Sequence, residues 1–269
     1  MNNIIILSIL TLLICDVKNN SYKTKIEKEE IPLQSNYDNL TLLNQALYES
    51  NNLNNIPESF DWRKKNIIFP TLQGSSYYTL WKEPTFEMLE LLYSKKKGKA
   101  YSFSRQMIID CLSDINDSIE DTLDWIKKYG IMLEDDYPYK GIKGICRIDQ
   151  SKFIDMKVID YVKLPSPVNE ELMKEYLNEI SYLPVGINNK FAGNYAGGII
   201  DLDEDKCPPT KINQAVILVG YGTTSGKDYW IVKTNFGKSW GESGYCRISK
   251  VKGICGINQY VIIPKIKFE

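Results

Sequence analysis

The 269 residues contain no histidine. Histidine is the only side chain whose ordinary pKa lies between pH 5 and 8. The chain therefore has no imidazole base, no imidazole metal ligand and no Cys-His or Ser-His pair, which weighs against most hydrolase mechanisms. No metal and no cofactor are expected. Sulfur chemistry is the next possibility, and six cysteines are present: Cys15, Cys111, Cys146, Cys207, Cys246 and Cys255. Cys15 sits just after an apolar run, Ile4 to Leu13. That run is too short to span a bilayer and lies where the apolar region of a signal peptide belongs. Residues 1–15 are read as a removable secretion signal, which places the protein outside the cell or in the endolysosomal system. In a secreted chain the remaining five cysteines point to two disulfides and one free thiol. Asn19, Asn39 and Asn116 each open an Asn-X-Ser/Thr glycosylation triplet.

Composition narrows the partners. The net charge is -1, from 33 basic and 34 acidic side chains, so nothing indicates a general affinity for nucleic acid or acidic membranes. Apolar residues make up 43% of the chain, enough for a real core. No stretch beyond the N-terminal run is long and apolar enough for a membrane helix.

Residues 16–55 are polar and rich in Asn, Lys and Glu, and read as a short leader with one amphipathic piece at Leu40 to Leu47. Aromatics appear from Ile56 onward. Phe86 to Tyr93 is mostly apolar, with Glu87 and Glu90 spaced through it. It predicts a central helix, ended by Lys95-Lys96-Lys97 and capped by Gly98. Ser104 to Cys111 predicts a second short helix with a serine N-cap. Ile119 to Tyr129 predicts a third, stopped by Gly130, with Leu123 and Ile126 on its inner face. After about Asp160 the pattern turns to strands, at Ala215 to Tyr221, Tyr229 to Val232 and Tyr245 to Ile248. Glycine-bearing turns such as Ser225-Gly226-Lys227 separate them. A helical front half (56–160) and a strand-rich back half (161–269) predict an α+β architecture of two subdomains meeting at a cleft.

Several segments together resemble the papain family of cysteine proteases. Ile56-Pro57-Glu58-Ser59-Phe60-Asp61-Trp62-Arg63 is similar to the family's mature N-terminus. Gln73-Gly74-Ser75 followed by Trp81 is similar to the stretch around its nucleophile. Tyr101 to Gln106 leading to Asp110-Cys111, and Tyr137-Pro138-Tyr139 followed by Cys146, are similar to two further family motifs. So are Val219-Gly220-Tyr221-Gly222, Tyr229 to Lys233 and Trp240 to Tyr245. The matches run in the family's order from residue 56 to about 260. The resemblance implies a papain-like fold with a helical left subdomain, a β-rich right subdomain and a cleft between them. It also implies disulfides Cys111–Cys146 and Cys207–Cys255, each worth roughly 3 to 4 kcal/mol in the chain-entropy model. Asn116 falls in a surface loop of that fold and is the best placed of the three sequons.

The family mechanism needs a thiolate, an imidazole beside it and a side-chain amide that orients the imidazole. The nucleophile position holds Leu80 if the segment is anchored on Trp81, and Thr79 if it is anchored on Gln73. Gln214 stands at the imidazole position, and Thr234 at that of the orienting asparagine. Gln73 remains where its amide would line the oxyanion hole. The family's glycine shelf, near Asn116 and Asp117, has no glycine here. Inactivated cysteine protease paralogues of parasitic mites depart from the family in a similar way. The resemblance thus implies a monomeric, secreted, non-catalytic homologue. It would bind a protein partner, such as a protease, a protease inhibitor or a host-defence protein, through or near the former cleft. The alternative is an active peptidase with a non-standard nucleophile, Thr79 or Cys246. Thr79 would need an adjacent base, and a free cysteine such as Cys246 usually behaves as a small buried hydrophobe.

Overall fold

The chain's longest helix, α1 (Glu83–Lys97), is buried over nearly its whole length, as expected of a helix apolar around most of its circumference. The computed structural model describes residues 56–65, 81–112 and 118–269. Helix α1 starts three residues earlier than the apolar run indicates, because Pro84 fits the first turn. It continues through the three lysines, whose charge suits a helix C-terminus. Gly98 closes it at φ 74°, a left-handed conformation that favours glycine, and donates its N–H to Ser94 O at 2.8 Å. Helix α2 (Arg105–Cys111) is capped by Ser104, whose Oγ accepts from Met107 N at 2.9 Å. Helix α3 (Ile119–Tyr129) is capped in the same way by Ser118, which accepts from Asp121 N at 2.9 Å. Leu123 and Ile126 are buried on its inner face.

A six-stranded sheet, five of its strands from the back half and β1 from the front, has the order β1-β5-β6-β7-β4, with β3 also paired to β5. Its strands are β1 (Phe60–Asp61), β3 (Leu183–Ile187), β4 (Ile199–Ile200), β5 (Gln214–Thr224), β6 (Lys227–Lys233) and β7 (Tyr245–Ser249). Strands β5 and β6 form a hairpin in which Thr224 pairs with Lys227. The two residues between them, Ser225 and Gly226, have φ 51° and 73°, the twist-compatible geometry of a two-residue hairpin turn. Strand β5 is buried from Gln214 to Gly222, which explains its near-continuous apolar run.

Several elements were not predicted from the sequence, among them the short strands β1, β3 and β4. Helix α4 (Glu170–Glu179) is capped by Asn169, whose Oδ1 accepts from Glu171 N at 2.8 Å. A separate two-stranded sheet pairs β2 (Met156–Lys163) with β8 (Ile262–Phe268) antiparallel. Strand β2 runs straight through the expected boundary between residues 160 and 161. That boundary therefore falls inside a strand, whose partner is β8.

Both expected disulfides are formed, Cys111–Cys146 (S–S 2.11 Å) and Cys207–Cys255 (S–S 2.03 Å). Among the described residues no helix is long and apolar enough to cross a membrane. The segments read as secretion signal (1–15) and leader (16–55) lie outside the described residues. So do Gln73, Thr79, Leu80, Asn19, Asn39 and Asn116.

Candidate functional site

Gln214 is the first residue of β5 and faces Ile187, the last residue of β3, across an antiparallel register. Its side chain is 1% exposed, and a buried amide must find partners or cost about 1 to 3 kcal/mol. It finds two. Its Oε1 accepts from Asn189 Nδ2 at 2.9 Å, and its Nε2 donates to Asn235 Oδ1 at 2.8 Å. Asn189 in turn exchanges two bonds with Asn213. Its backbone N–H donates to Asn213 Oδ1 at 2.9 Å, and its Oδ1 accepts from Asn213 Nδ2 at 2.9 Å. A chain of four amides thus runs Asn213, Asn189, Gln214, Asn235. Asn189 is held in a 3-10 turn (Asn189–Asn194) entered through Asn188, whose Oδ1 accepts from Lys190 N at 3.1 Å and whose Nδ2 donates to Pro208 O at 3.0 Å.

Thr234, expected at the orienting position, is turned away from Gln214. Its backbone N–H and its hydroxyl both donate to Gly244 O, at 3.0 and 2.9 Å. The residue that bonds to Gln214 is its neighbour Asn235, which the sequence reading missed. The available signal was a second amide directly after the template position. Asn235 Nδ2 is buried and, among the described residues, has no hydrogen-bond partner.

Beside the amide chain lies a buried ion cluster. Glu83, Glu87 and Glu90 share one face of α1, spaced four and three residues apart, the spacing that aligns side chains on a helix. Arg105, from the first turn of α2, bonds to Glu83 Oε1 at 2.7 Å and Glu90 Oε2 at 3.0 Å. It also donates to Phe103 O at 3.0 Å, while Glu90 accepts from Phe103 N at 2.6 Å. Lys233, at the end of β6, is ion-paired with Glu87; the two side chains are 2% and 7% exposed. This pair ties the helical half to the sheet. Burial raises the Glu87 carboxyl from its ordinary 4.5 to about 7, against the pull of Lys233. Burial also raises Glu90, against the pull of Arg105. A small cavity of about 10 Å³ separates this cluster from the amide chain; Glu83, Pro84, Glu87, Lys233, Thr234 and Asn235 are among its lining.

Chemically, the amide chain can orient and hydrogen-bond through its donors and acceptors. The amide of Gln214 has no basic atom, and its oxygen is already engaged by Asn189. Cys246, on β7, has no disulfide partner and is fully buried. Burial pushes its thiol far above the usual range, with a smaller contribution from Glu242. Such a thiol stays protonated and is a poor nucleophile. It lies on the second strand over from β5. Among the described residues no group of three or more His, Cys, Asp or Glu could hold a metal ion.

Comparison with known proteins places this geometry in context. The family profile of papain family cysteine proteases matches residues 56–265. The chain is 34% identical over 209 residues to a viral cathepsin of Adoxophyes honmai nucleopolyhedrovirus, covering 76% of this chain and 60% of that protein. It is 30% identical over 227 residues to a cathepsin L-like proteinase of Fasciola hepatica, covering 81% and 68%. Among solved structures, the digestive procathepsin L 3 of Tenebrio molitor larval midgut superposes with a TM-score of 0.68 at 30% identity, over 78% of this chain and 70% of that one. The bromelain protease of Ananas comosus, solved in complex with the E64 inhibitor, superposes with a TM-score of 0.65 at 28% identity, over 78% and 99%. The chain spans 60% of the viral cathepsin's length.

Proposed function

The chain belongs to the papain family of cysteine proteases, and from that premise we propose that it is a secreted, non-catalytic member that binds a protein partner through or near its former active-site cleft. One observation carries the reading: the imidazole position is Gln214, buried and bonded on both sides by amides, in a chain without histidine. Family membership alone does not establish function. The relatives named above are described as proteases, whereas this chain has amides where the family's proton transfer takes place. Removing a triad costs about a million-fold in turnover, so an oxyanion-type Gln73 would leave negligible activity. The scaffold supports binding all the same. Two disulfides are formed, and the buried Lys233–Glu87 ion pair ties helix α1 to strand β6. Disulfides also fit an oxidising, extracellular or endolysosomal setting. A protease, a protease inhibitor or a host-defence protein is the partner class such a surface would engage.

The test is peptide cleavage by the purified, disulfide-intact protein. A diverse peptide library is read by mass spectrometry from acidic to neutral pH, with reductant present. No cleavage above a mock preparation is expected. Specific cleavage that survives repurification, and that is lost on changing Thr79 or Cys246, would overturn the proposal and establish an unconventional nucleophile.

A further inference from the structure

Among the described residues, the two most exposed large apolar side chains are Ile142 and Ile145, at 74% and 76%; Tyr139, at 39%, lies in the same loop. Single exposed apolar residues are ordinary, but three together in one short loop are not. Nor does a loose backbone leave them there, because helix α2 pins the loop from beneath. Gln106 of that helix is 0% exposed. Its Oε1 accepts from the N–H groups of Lys140 and Gly141 at 2.8 and 3.2 Å, and its Nε2 donates to Ile142 O at 2.7 Å. Asp110 accepts from Gly144 N at 2.6 Å and from the Tyr137 hydroxyl at 2.7 Å. That hydroxyl in turn accepts from Arg147 N at 3.2 Å. Glu134 accepts from Tyr139 N at 2.6 Å, and the Cys111–Cys146 disulfide fixes the far end. The backbone is thus turned inward onto a buried amide and two carboxylates. The isoleucines are displayed on a frame already ordered, so binding through them needs little further ordering.

The charge around them has one sign. Residues 137–148 include Lys140, Lys143 and Arg147 and no acidic residue, and all three cations are exposed. The two carboxylates that bond to the loop, Asp110 and Glu134, are engaged by its backbone. Apolar tips interleaved with basic ones complement an anionic phospholipid surface. Isoleucines enter the acyl boundary, a tyrosine sits at headgroup level, and long basic side chains reach phosphate. A protein interface of standard size draws about 20 residues from each side, more than this loop holds. The net charge of -1 gives no general attraction to such a surface, so the loop itself must supply it.

We propose that loop 139–147 docks on anionic phospholipid, with Ile142 and Ile145 inserted between headgroups and Lys140, Lys143 and Arg147 against phosphate. The inference uses no residue of the amide chain and holds whether or not the chain cleaves peptides.

The test is co-sedimentation of the full disulfide-bonded chain with vesicles. The wild type is expected to pellet with vesicles of phosphatidylcholine and phosphatidylserine, and to stay in solution with phosphatidylcholine alone. The variant I142S/I145S is expected to lose the pelleting while keeping the wild-type thermal midpoint, since both side chains lie in water. K140S/R147S is expected to bind about 30-fold more weakly. A wild type that stays in solution with the mixed vesicles, leaving the isoleucines for a protein partner, overturns the proposal. So does I142S/I145S binding as the wild type does, or equal binding to phosphatidylcholine alone. Should that variant fail to fold, hydrogen–deuterium exchange on the wild type decides. Mixed vesicles are expected to slow deuterium uptake in residues 139–147, and unchanged uptake there in a chain that pellets overturns the assignment to this loop.

Discussion

Replacing Glu87 with glutamine keeps the shape of the side chain and its bond to Lys233 but removes the group that titrates. In the folded chain the carboxyl is raised from 4.5 to about 7 by burial, so the native state holds its proton more tightly than the unfolded chain does. By linkage, the stability contributed by this group is fully present below pH 4.5. It is lost as pH rises through the window to about 7, and it does not return above that. One pKa unit corresponds to about 1.4 kcal/mol, so the loss amounts to about 3 kcal/mol. The variant has no such loss. Other groups displaced by folding, among them Glu170, raised to about 7 by burial, and Glu242, held low chiefly by its bonds from Arg247 against the opposing effect of burial, titrate alike in both proteins and cancel in the difference. The assay is urea unfolding of wild type and E87Q, disulfides intact, at several pH values from 4 to 8. The stability of the wild type relative to the variant is expected to fall by about 3 kcal/mol across that range, most of it between pH 4.5 and 7. Parallel curves, or a wild type that gains on the variant as pH rises, would refute the description of Glu87 as a buried carboxyl whose desolvation outweighs its pairing with Lys233.

Three further outcomes are expected. Gln214→Leu leaves Asn189 Nδ2 and Asn235 Oδ1 without partners, and should lower unfolding stability by about 2 to 4 kcal/mol; a change under 1 kcal/mol would mean the amide chain contributes little. Cys246 should resist iodoacetamide in the native protein at pH 8 and react only after unfolding, as intact-mass spectrometry would show; rapid native alkylation would contradict its burial. Changing Cys207 and Cys255 together to serine opens a loop with a sequence separation of 48 and should cost about 4 kcal/mol in the chain-entropy model; an unchanged thermal midpoint would rule that out.

The helices were legible because their signals are local. Ser104, Gly98 and Gly130 do in the structure what their residue types favour at those positions. The β5–β6 hairpin was legible for the same reason, with Gly226 marking the turn. The ion cluster was not. Glutamates within a helical pattern usually mark a solvated face, and here the burial of Glu87 depends on Lys233, 146 residues away. A motif template likewise assigns Thr234 to a position but says nothing of which way its hydroxyl turns. That was decided by Gly244 O, which captures both donors of Thr234 and leaves Asn235 to meet Gln214. Which atoms meet Gln214 was decided by tertiary packing.

The pairing of β2 with β8 makes two segments far apart in the chain depend on each other. Met156 lies opposite Phe268, and Glu269 donates its N–H to Asp155 O at 2.9 Å. Phe268 also stacks on Tyr93 of α1, with ring centroids 6.3 Å apart. Without β8, β2 would keep one edge unpaired and α1 part of its aromatic face uncovered. Contacts of such sequence separation slow folding, and an open strand edge invites pairing with other chains. A truncation that removes β8 should therefore give an aggregation-prone product rather than a smaller folded domain.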